Sequence, residues 1–185
     1  MRGPESVRGI RRIVIYGVTG SGKTTLASRL GATVGIRWHE VDNLTWEPGW
    51  VGVPADEQRR RFEEICAGDE WILDTAYSSW LDLALGRAQL IVALDYPRWV
   101  SLSRLVRRTL ARTLDGRPIC NGNRETLRQA FSPDSIVAFH FRSFQHKRTR
   151  VRAWETDESV PPVVRLRSPR HTRAWLATLR EPGHS

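Results

Sequence analysis

The chain predicts an α/β fold: a three-layer α/β/α sandwich around a five-stranded parallel sheet. Three observations point there. Runs such as 13–16 (IVIY), 71–73 (WIL) and 89–94 (QLIVAL) are short and almost wholly apolar, as strands buried on both faces of a parallel sheet require. Helical stretches alternate with these runs along the chain. The first strand passes into the first helix through a glycine-rich turn.

Residues 1–9 read as a flexible basic arm. Strand 13–16 leads through the turn 17–24 into a helix that reaches Leu30, with Leu26 and Leu30 four apart on one face. Gly31 and Gly35 bracket its end. Residues 36–41 (IRWHEV) read as the second strand, stopping at Asp42. The stretch 42–50 (DNLTWEPGW) reads as an aromatic loop punctuated by Pro48 and Gly49. A charged helix opens at 54–56 (PAD) and runs to about Ala67. Strand 71–73 stops at Asp74, and a turn with a short helix fills 76–85. Strand 89–94 stops at Asp95. Pro97 then starts an amphipathic helix with Trp99, Leu102, Leu105 and Val106 on its apolar side. Arg104, Arg107, Arg108 and Arg112 decorate it at helical spacing, and 115–118 (DGRP) breaks it. Residues 119–131 are polar and irregular. Ser132-Pro133-Asp134 supplies a cap and a proline at the first helical position. The helix that follows carries Ile136, Val137, Phe139, His140 and Phe144, then a basic run, 146–152 (HKRTRVR). After a loop at 156–162 come a fifth strand, 163–166, and a last helix capped by Ser168-Pro169. Trp175, Leu176 and Leu179 form that helix's apolar face. The length of 185 residues suits a single domain, 1–185.

The turn reads Gly17-Val18-Thr19-Gly20-Ser21-Gly22-Lys23-Thr24, a complete match to G-x-x-x-x-G-K-[ST], the P-loop or Walker A pattern. Gly17, Gly20 and Gly22 admit torsions that a side chain would obstruct. Successive N–H groups then converge on phosphate oxygens, at the positive end of the helix dipole. Gly17, Gly20, Ser21, Gly22, Lys23, Thr24 and Thr25 are the expected nucleotide-binding set. Lys23 reaches the β- and γ-phosphates, and the Thr24 hydroxyl takes a place on Mg²⁺. ATP and Mg²⁺ are therefore the expected ligands. A glycine-rich turn without a ligand would leave the Lys-Thr pair and its strand–helix context unexplained.

Net charge is +9, and Lys23 and Lys147 are the only lysines among 29 basic residues. Such a surplus suits polyanionic partners: nucleotides, nucleic acid or an anionic membrane. The plainer reading is coding bias plus solvated arginines. No apolar stretch is long enough to span a bilayer, and residues 1–12 lack the apolar core of a secretory signal. Cys66 and Cys120 form neither a metal-ligand pattern nor a disulfide framework. These features point to the cytoplasm, where ATP is available, and not to a membrane.

Ligands of open parallel sheets bind beyond the carboxyl ends of the strands. Asp42, Asp74 and Asp95 all stand where a strand is expected to stop. Asp74 is the choice for holding Mg²⁺ or its water shell. Asp42 is the choice for orienting or deprotonating an acceptor hydroxyl. Asp95 reads as a cap or turn residue, and a capping role is the plainer alternative for Asp42 and Asp74 too.

With these residues in place, the chain resembles the adenylate-kinase-like branch of P-loop kinases. More closely, it resembles the bacterial DNA topology modulation (FlaR-related) family. The resemblance rests on strand–GVTGSGKT–helix, HEVDNLTWEPGW at 39–50, and Trp-Ile-Leu-Asp-x-x-Tyr at 71–77. LDYPRW at 94–99 with its arginine helix and VVRLRS at 163–168 complete it. It implies a sheet order of 2-3-1-4-5 and a helical lid between the fourth and fifth strands, with its flanking helices at about 104–150. It also implies roles on that helix. Arg104 matches the lid-helix arginine that packs on the nucleotide base, and Arg108 the phosphate-contacting arginine one turn later. Their i, i+4 spacing puts both on one face.

The departures bear on the acceptor. Adenylate kinases carry Thr-Gly-Asp-x-x-Arg after the second strand and Asp-Gly-Phe-Pro-Arg at the third. Here those places read VDNLTW (41–46) and DTAYSSW (74–80). The arginine that clamps an acceptor phosphate is missing from both, which argues against AMP. An Asp after the second strand resembles the acceptor-hydroxyl acid of uridine-kinase-like and shikimate-kinase-like enzymes, and suits an alcohol. Trp46 and Trp50 either wall the acceptor pocket, indoles stacking on flat rings, or anchor a rigid loop.

The expected function is an ATP-dependent kinase that moves the γ-phosphate to a nucleotide, nucleoside or other small hydroxylated acceptor. Lys23, Asp42, Arg104 and Arg108 are the candidate catalytic residues, with Thr24 and Asp74 the candidate metal ligands. One rival is a nucleic-acid-associated regulator, for which the arginine surplus and 146–152 speak. No helix-turn-helix, zinc or RNP signature supports it, so nucleic acid is the less favoured partner. The other rival is a plain ATPase.

Overall fold

Ile13, Val14, Ile15 and Tyr16 leave no face to water, so their strand must lie inside a sheet covered on both sides. In the computed structural model, which describes residues 9–75, 77–115, 121–123 and 136–179, it lies in the middle. β1 (Arg12–Gly17) is flanked by β5 (Trp71–Leu73) and β6 (Leu90–Leu94), and β2 (Trp38–His39) and β7 (Val163–Leu166) complete the sheet. All four pairings are parallel, in the order β2-β5-β1-β6-β7. Counting only these five strands in chain order, this is the expected 2-3-1-4-5. A separate antiparallel hairpin, β3 (Trp46–Glu47) with β4 (Val51–Gly52), stands apart from the sheet.

Strand alternation sorts the helices into two layers. Ile13, Ile15, Ile72, Val92 and Leu166 face α1 (Lys23–Val34) and α7 (Pro169–Thr178), meeting Leu26, Leu30, Trp175 and Leu176. Val14, Trp71 and Leu73 face the other way. They meet Phe62 of α3 (Ala55–Ala67) and, at α4 (Leu81–Arg87), Ala84 with the adjoining Trp80. Tyr16, Ile91 and Ala93 meet Val151 and Trp154 of α6 (Ile136–Trp154). Burial of each such aliphatic side chain contributes about 1.5–3 kcal/mol, and together they hold the carboxyl ends of the strands level. Termini are sealed as the sequence indicates. Gly35, at φ 73°, donates to the carbonyl of Gly31 at 2.9 Å, and Ser168 Oγ accepts from the His171 N–H at 3.1 Å ahead of Pro169. Among the described residues, no helix is long and apolar enough to cross a membrane.

Four expectations need correction. The second strand is not 36–41 but Trp38–His39. The Val41 N–H donates to Asp74 rather than to a sheet partner, and α2 (Val41–Thr45) starts there. The aromatic stretch is a hairpin rather than a loop, turning through Pro48 and Gly49. The short helix lies later than 76–85, at Leu81–Arg87. On α5 (Arg98–Asp115), Trp99 is 72% exposed and Val106 38%. The buried face is Val100, Ser101, Leu105 and Thr109. Small residues are needed there because α5 presses on the glycine-rich turn: a Cβ on Gly20 would lie 2.3 Å from the Ser101 carbonyl oxygen. The arm 1–8, the break at 116–118 and the cap 132–134 lie outside the described residues.

Candidate active site

The P-loop is closed by its own hydrogen bonds. The Ser21 N–H and Oγ both donate to the Val18 carbonyl, at 3.2 and 2.7 Å. Gly22, in left-handed conformation at φ 95°, is the N-cap of α1 and makes no side-chain cap bond. The first N–H groups of the helix therefore face the loop, the arrangement that receives an anion. Lys23 Nζ donates to the Val18 carbonyl at 3.3 Å. Burial depresses the pKa of Lys23, Arg108 depresses it further, and Asp42 and Asp74 oppose both.

Asp74 follows β5, as expected. Its Oδ2 accepts from Thr24 Oγ1 at 2.6 Å and its Oδ1 from the Val41 N–H at 3.0 Å. Burial raises its pKa and Asp42 adds to the rise; Thr24, Val41 and Lys23 act against it. A hydroxyl and a carboxylate side by side are the hard oxygen donors Mg²⁺ takes, and that ion needs few protein ligands when phosphates supply the rest. The pair fits the metal.

Asp42 sits in the first turn of α2 rather than at a strand end. It accepts from the Tyr77 hydroxyl at 2.6 Å. Burial and the Asp42 charge push the Tyr77 pKa well up, so the phenol stays a donor. Beside this pair lies a cavity of about 200 Å³ lined by Thr45, Trp46, Gly52, Gln58, Tyr77 and Ser79. Trp46 thus lines a cavity, and Trp50 packs edge-on against it, centroids 6.0 Å apart. Trp50 has φ 59°, unusual for a bulky side chain. Its N–H donates to Asn123 Oδ1 at 2.8 Å, while Asn123 Nδ2 donates to the Glu47 carbonyl at 3.0 Å. Asn121 Nδ2 donates to the carbonyls of Asn43 and Trp46, at 2.8 and 2.7 Å.

The fold has counterparts among solved structures. A shikimate kinase from Bacteroides thetaiotaomicron aligns with 93% of this chain and 97% of its own, at TM-score 0.55 and 15% identity. A gluconokinase from Sinorhizobium meliloti 1021 aligns over 91% of both chains, at TM-score 0.54 and 19% identity. The fold is that of the P-loop kinases. A shikimate kinase from Aquifex aeolicus shares it, over 90% of this chain and 91% of its own, at TM-score 0.51 and 16% identity. No family model and no curated protein matches the chain. The resemblance to the DNA topology modulation family therefore rests on the residues quoted for it.

In this P-loop kinase fold, α5 and α6 bring further cations to the loop. Arg104 donates to the Ser21 carbonyl at 3.2 Å and lies 5.6 Å from the Tyr96 ring. Arg108 is close enough to act on Lys23. Asp95 is no cap: it is buried and paired with Arg165 at 2.7 Å and Arg148 at 3.1 Å. Sequence reasoning missed the inner face of α6. His140 Nδ1 donates to the Thr19 carbonyl at 3.1 Å, Lys147 to that of Gly17 at 3.4 Å, and Arg150 to Tyr16 Oη at 3.3 Å. The run 146–152 therefore turns three of its cations, Lys147, Arg148 and Arg150, toward the sheet and its loop. Its one available signal was that Lys147 is a lysine in a chain of arginines.

Proposed function

We propose that the protein is an ATP-dependent phosphotransferase that moves the γ-phosphate of ATP to a hydroxyl of a small acceptor: a nucleotide, a nucleoside or another hydroxylated molecule. The observation that carries this reading is the meeting of Lys23, the Thr24–Asp74 pair and the Asp42–Tyr77 pair at one end of the sheet, beside a cavity. The P-loop from Gly17 to Thr25 holds the donor phosphates. Thr24 and Asp74 would hold Mg²⁺, which supplies charge neutralisation across the β- and γ-phosphates. Asp42 orients the acceptor hydroxyl and takes its proton as the oxygen bonds to the γ-phosphorus. The bond from that phosphorus to the β–γ bridging oxygen breaks, and ADP leaves. Lys23, Arg104 and Arg108 oppose the charge of the transferring group. Helices α5 and α6 take part in a lid, whose closure excludes water and suppresses idle hydrolysis. Neighbours of the same fold are kinases by name, which supports the reaction class.

The test is ADP release from Mg-ATP across a panel of small alcohols, sugars, nucleosides and nucleotides. One acceptor class should stimulate it, and Lys23→Ala should abolish the stimulated rate while circular dichroism stays unchanged. ADP release indifferent to every acceptor would mark a plain ATPase. Full turnover in Lys23→Ala would sink the mechanism.

A further inference from the structure

Lys147 stands outside every motif in the chain, yet its ammonium is at the P-loop. α6 lays one face on the loop, with His140 on the Thr19 carbonyl and, two turns further on, Lys147 on that of Gly17. Lys23 occupies the next carbonyl, Val18. The only two lysines among 29 basic residues thus rest on adjacent carbonyls of one turn. Arginine serves everywhere else. Its guanidinium is a broad planar fork, whereas an ammonium is a compact point charge. The Lys147 head is set 5.6 Å from the Tyr16 ring centroid and 5.9 Å from that of Phe139.

We propose that Lys147 is a second phosphate-binding ammonium: with Lys23 it brackets the terminal phosphate of a bound nucleoside triphosphate, on the side toward Asp42. This rests on reading the P-loop as the donor-nucleotide site. A phosphate oxygen is a stronger partner for an ammonium than a carbonyl is, so the nucleotide draws both lysines off the loop. Lys23 from α1, Asp42 from α2 and Tyr16 from β1 face Lys147, with Asp95 beyond β6 and His140, Arg148 and Arg150 on its own helix. Burial, Lys23 and Arg150 bring its pKa down to about 7, with Asp42 opposing. At pH 8 much of it is then neutral in the free protein. A bound triphosphate restores the charge by taking a proton from the buffer.

Calorimetric titration with Mg-ATP and Mg-ADP, without acceptor, at pH 8 in buffers of different ionisation enthalpy, tests this. The wild type should take up protons on binding Mg-ATP and clearly fewer on binding Mg-ADP. Lys147→Met should bind Mg-ATP about 10-fold more weakly or worse, hold Mg-ADP within about 3-fold, and lose the uptake. Lys147→Arg, permanently charged, should recover part of the Mg-ATP affinity without uptake. Unchanged Mg-ATP affinity and uptake in Lys147→Met overturns the proposal, as does an equal loss for both nucleotides. Should Lys147→Met not fold, Lys147→Gln takes its place in the same comparison of Mg-ATP with Mg-ADP. A wild type that binds no Mg-ATP overturns the donor-site reading as well; one that binds it normally without help from Lys147 overturns only this inference.

Discussion

Gly20 and Gly22 both have positive φ, 80° and 95°, but they answer to different demands. A Cβ on Gly20 would lie 2.3 Å from the Ser101 carbonyl oxygen and 2.9 Å from Leu105 Cβ. On Gly22 it would meet only the end of Arg104, at 3.6 Å. Gly22→Ala should therefore cost about 1–2 kcal/mol of backbone strain. Gly20→Ala should cost about 2–4 kcal/mol, because strain and overpacking add. Urea denaturation separates the two, and equal losses would refute the packing account. Tyr77 offers a second residue test. Tyr77→Phe removes the 2.6 Å donor to Asp42. It should lower kcat about 10-fold or more with KM for ATP unchanged. A Tyr77 that serves packing alone would lose stability and keep kcat. The P-loop was fully legible in the sequence because its chemistry is local. Asp42 was legible as a residue and misplaced as a position, because the Val41 N–H turns from the sheet to donate to Asp74, 33 residues further on from Val41.

Elements were legible where burial imposed a pattern and obscure where a contact replaced it. β1, β5 and β6 are buried on both faces, and their apolar runs name them. β3 and β4 have two residues each, too few to show a period. α5 misled because its inner face meets the P-loop backbone at Gly20, where Ser101 fits and Trp99 does not. β7 is held to its surroundings partly by Asp95, paired with Arg165 and Arg148. Asp95→Asn removes the buried carboxylate from two half-buried cations, of which Arg165 keeps Glu155, and should cost about 1–2 kcal/mol in denaturant unfolding. His140 makes α6 sensitive to pH. Burial, with Arg98 and Lys147, lowers its pKa, so the folded ring is neutral. The unfolded ring titrates near 6.5. Between those values the unfolded chain binds more protons, so stability rises with pH and is lost as pH falls below about 6.5. An Asn amide can still donate to Thr19. The stability difference between wild type and His140→Asn should therefore shrink from pH 7 to pH 5, measured by chemical denaturation.

At the scale of the whole molecule, the +9 charge is not spread evenly. Lys23, Lys147, Arg104 and Arg108 gather at the P-loop end of the sheet. Like charges held together in the empty protein are relieved by a polyanion, and salt screens that relief. Mg-ATP at 100 times its Kd should add about 2.7 kcal/mol, a rise in Tm of about 5–10 °C for a chain this size. Scanning fluorimetry should show the rise shrinking between low and high salt. A Tm indifferent to Mg-ATP would contradict the donor site. Composition announced the charge but not its direction, since only folding shows which arginines turn inward.

The two asparagines between α5 and α6 hold main-chain atoms of the hairpin and of α2: the carbonyls of Trp46, Glu47 and Asn43 and the N–H of Trp50. Those four bonds use main-chain atoms on the gripped side, and the side chains add contacts of their own: Trp46 packs edge-on against Trp50, and Glu47 lies 3.5 Å from Arg61. The hairpin is a facing on a frame: its backbone is held by Asn121 and Asn123, while its Trp46 side chain lines the cavity. If that cavity takes the acceptor, as proposed above, position 46 is where a protein engineer would steer the choice of substrate.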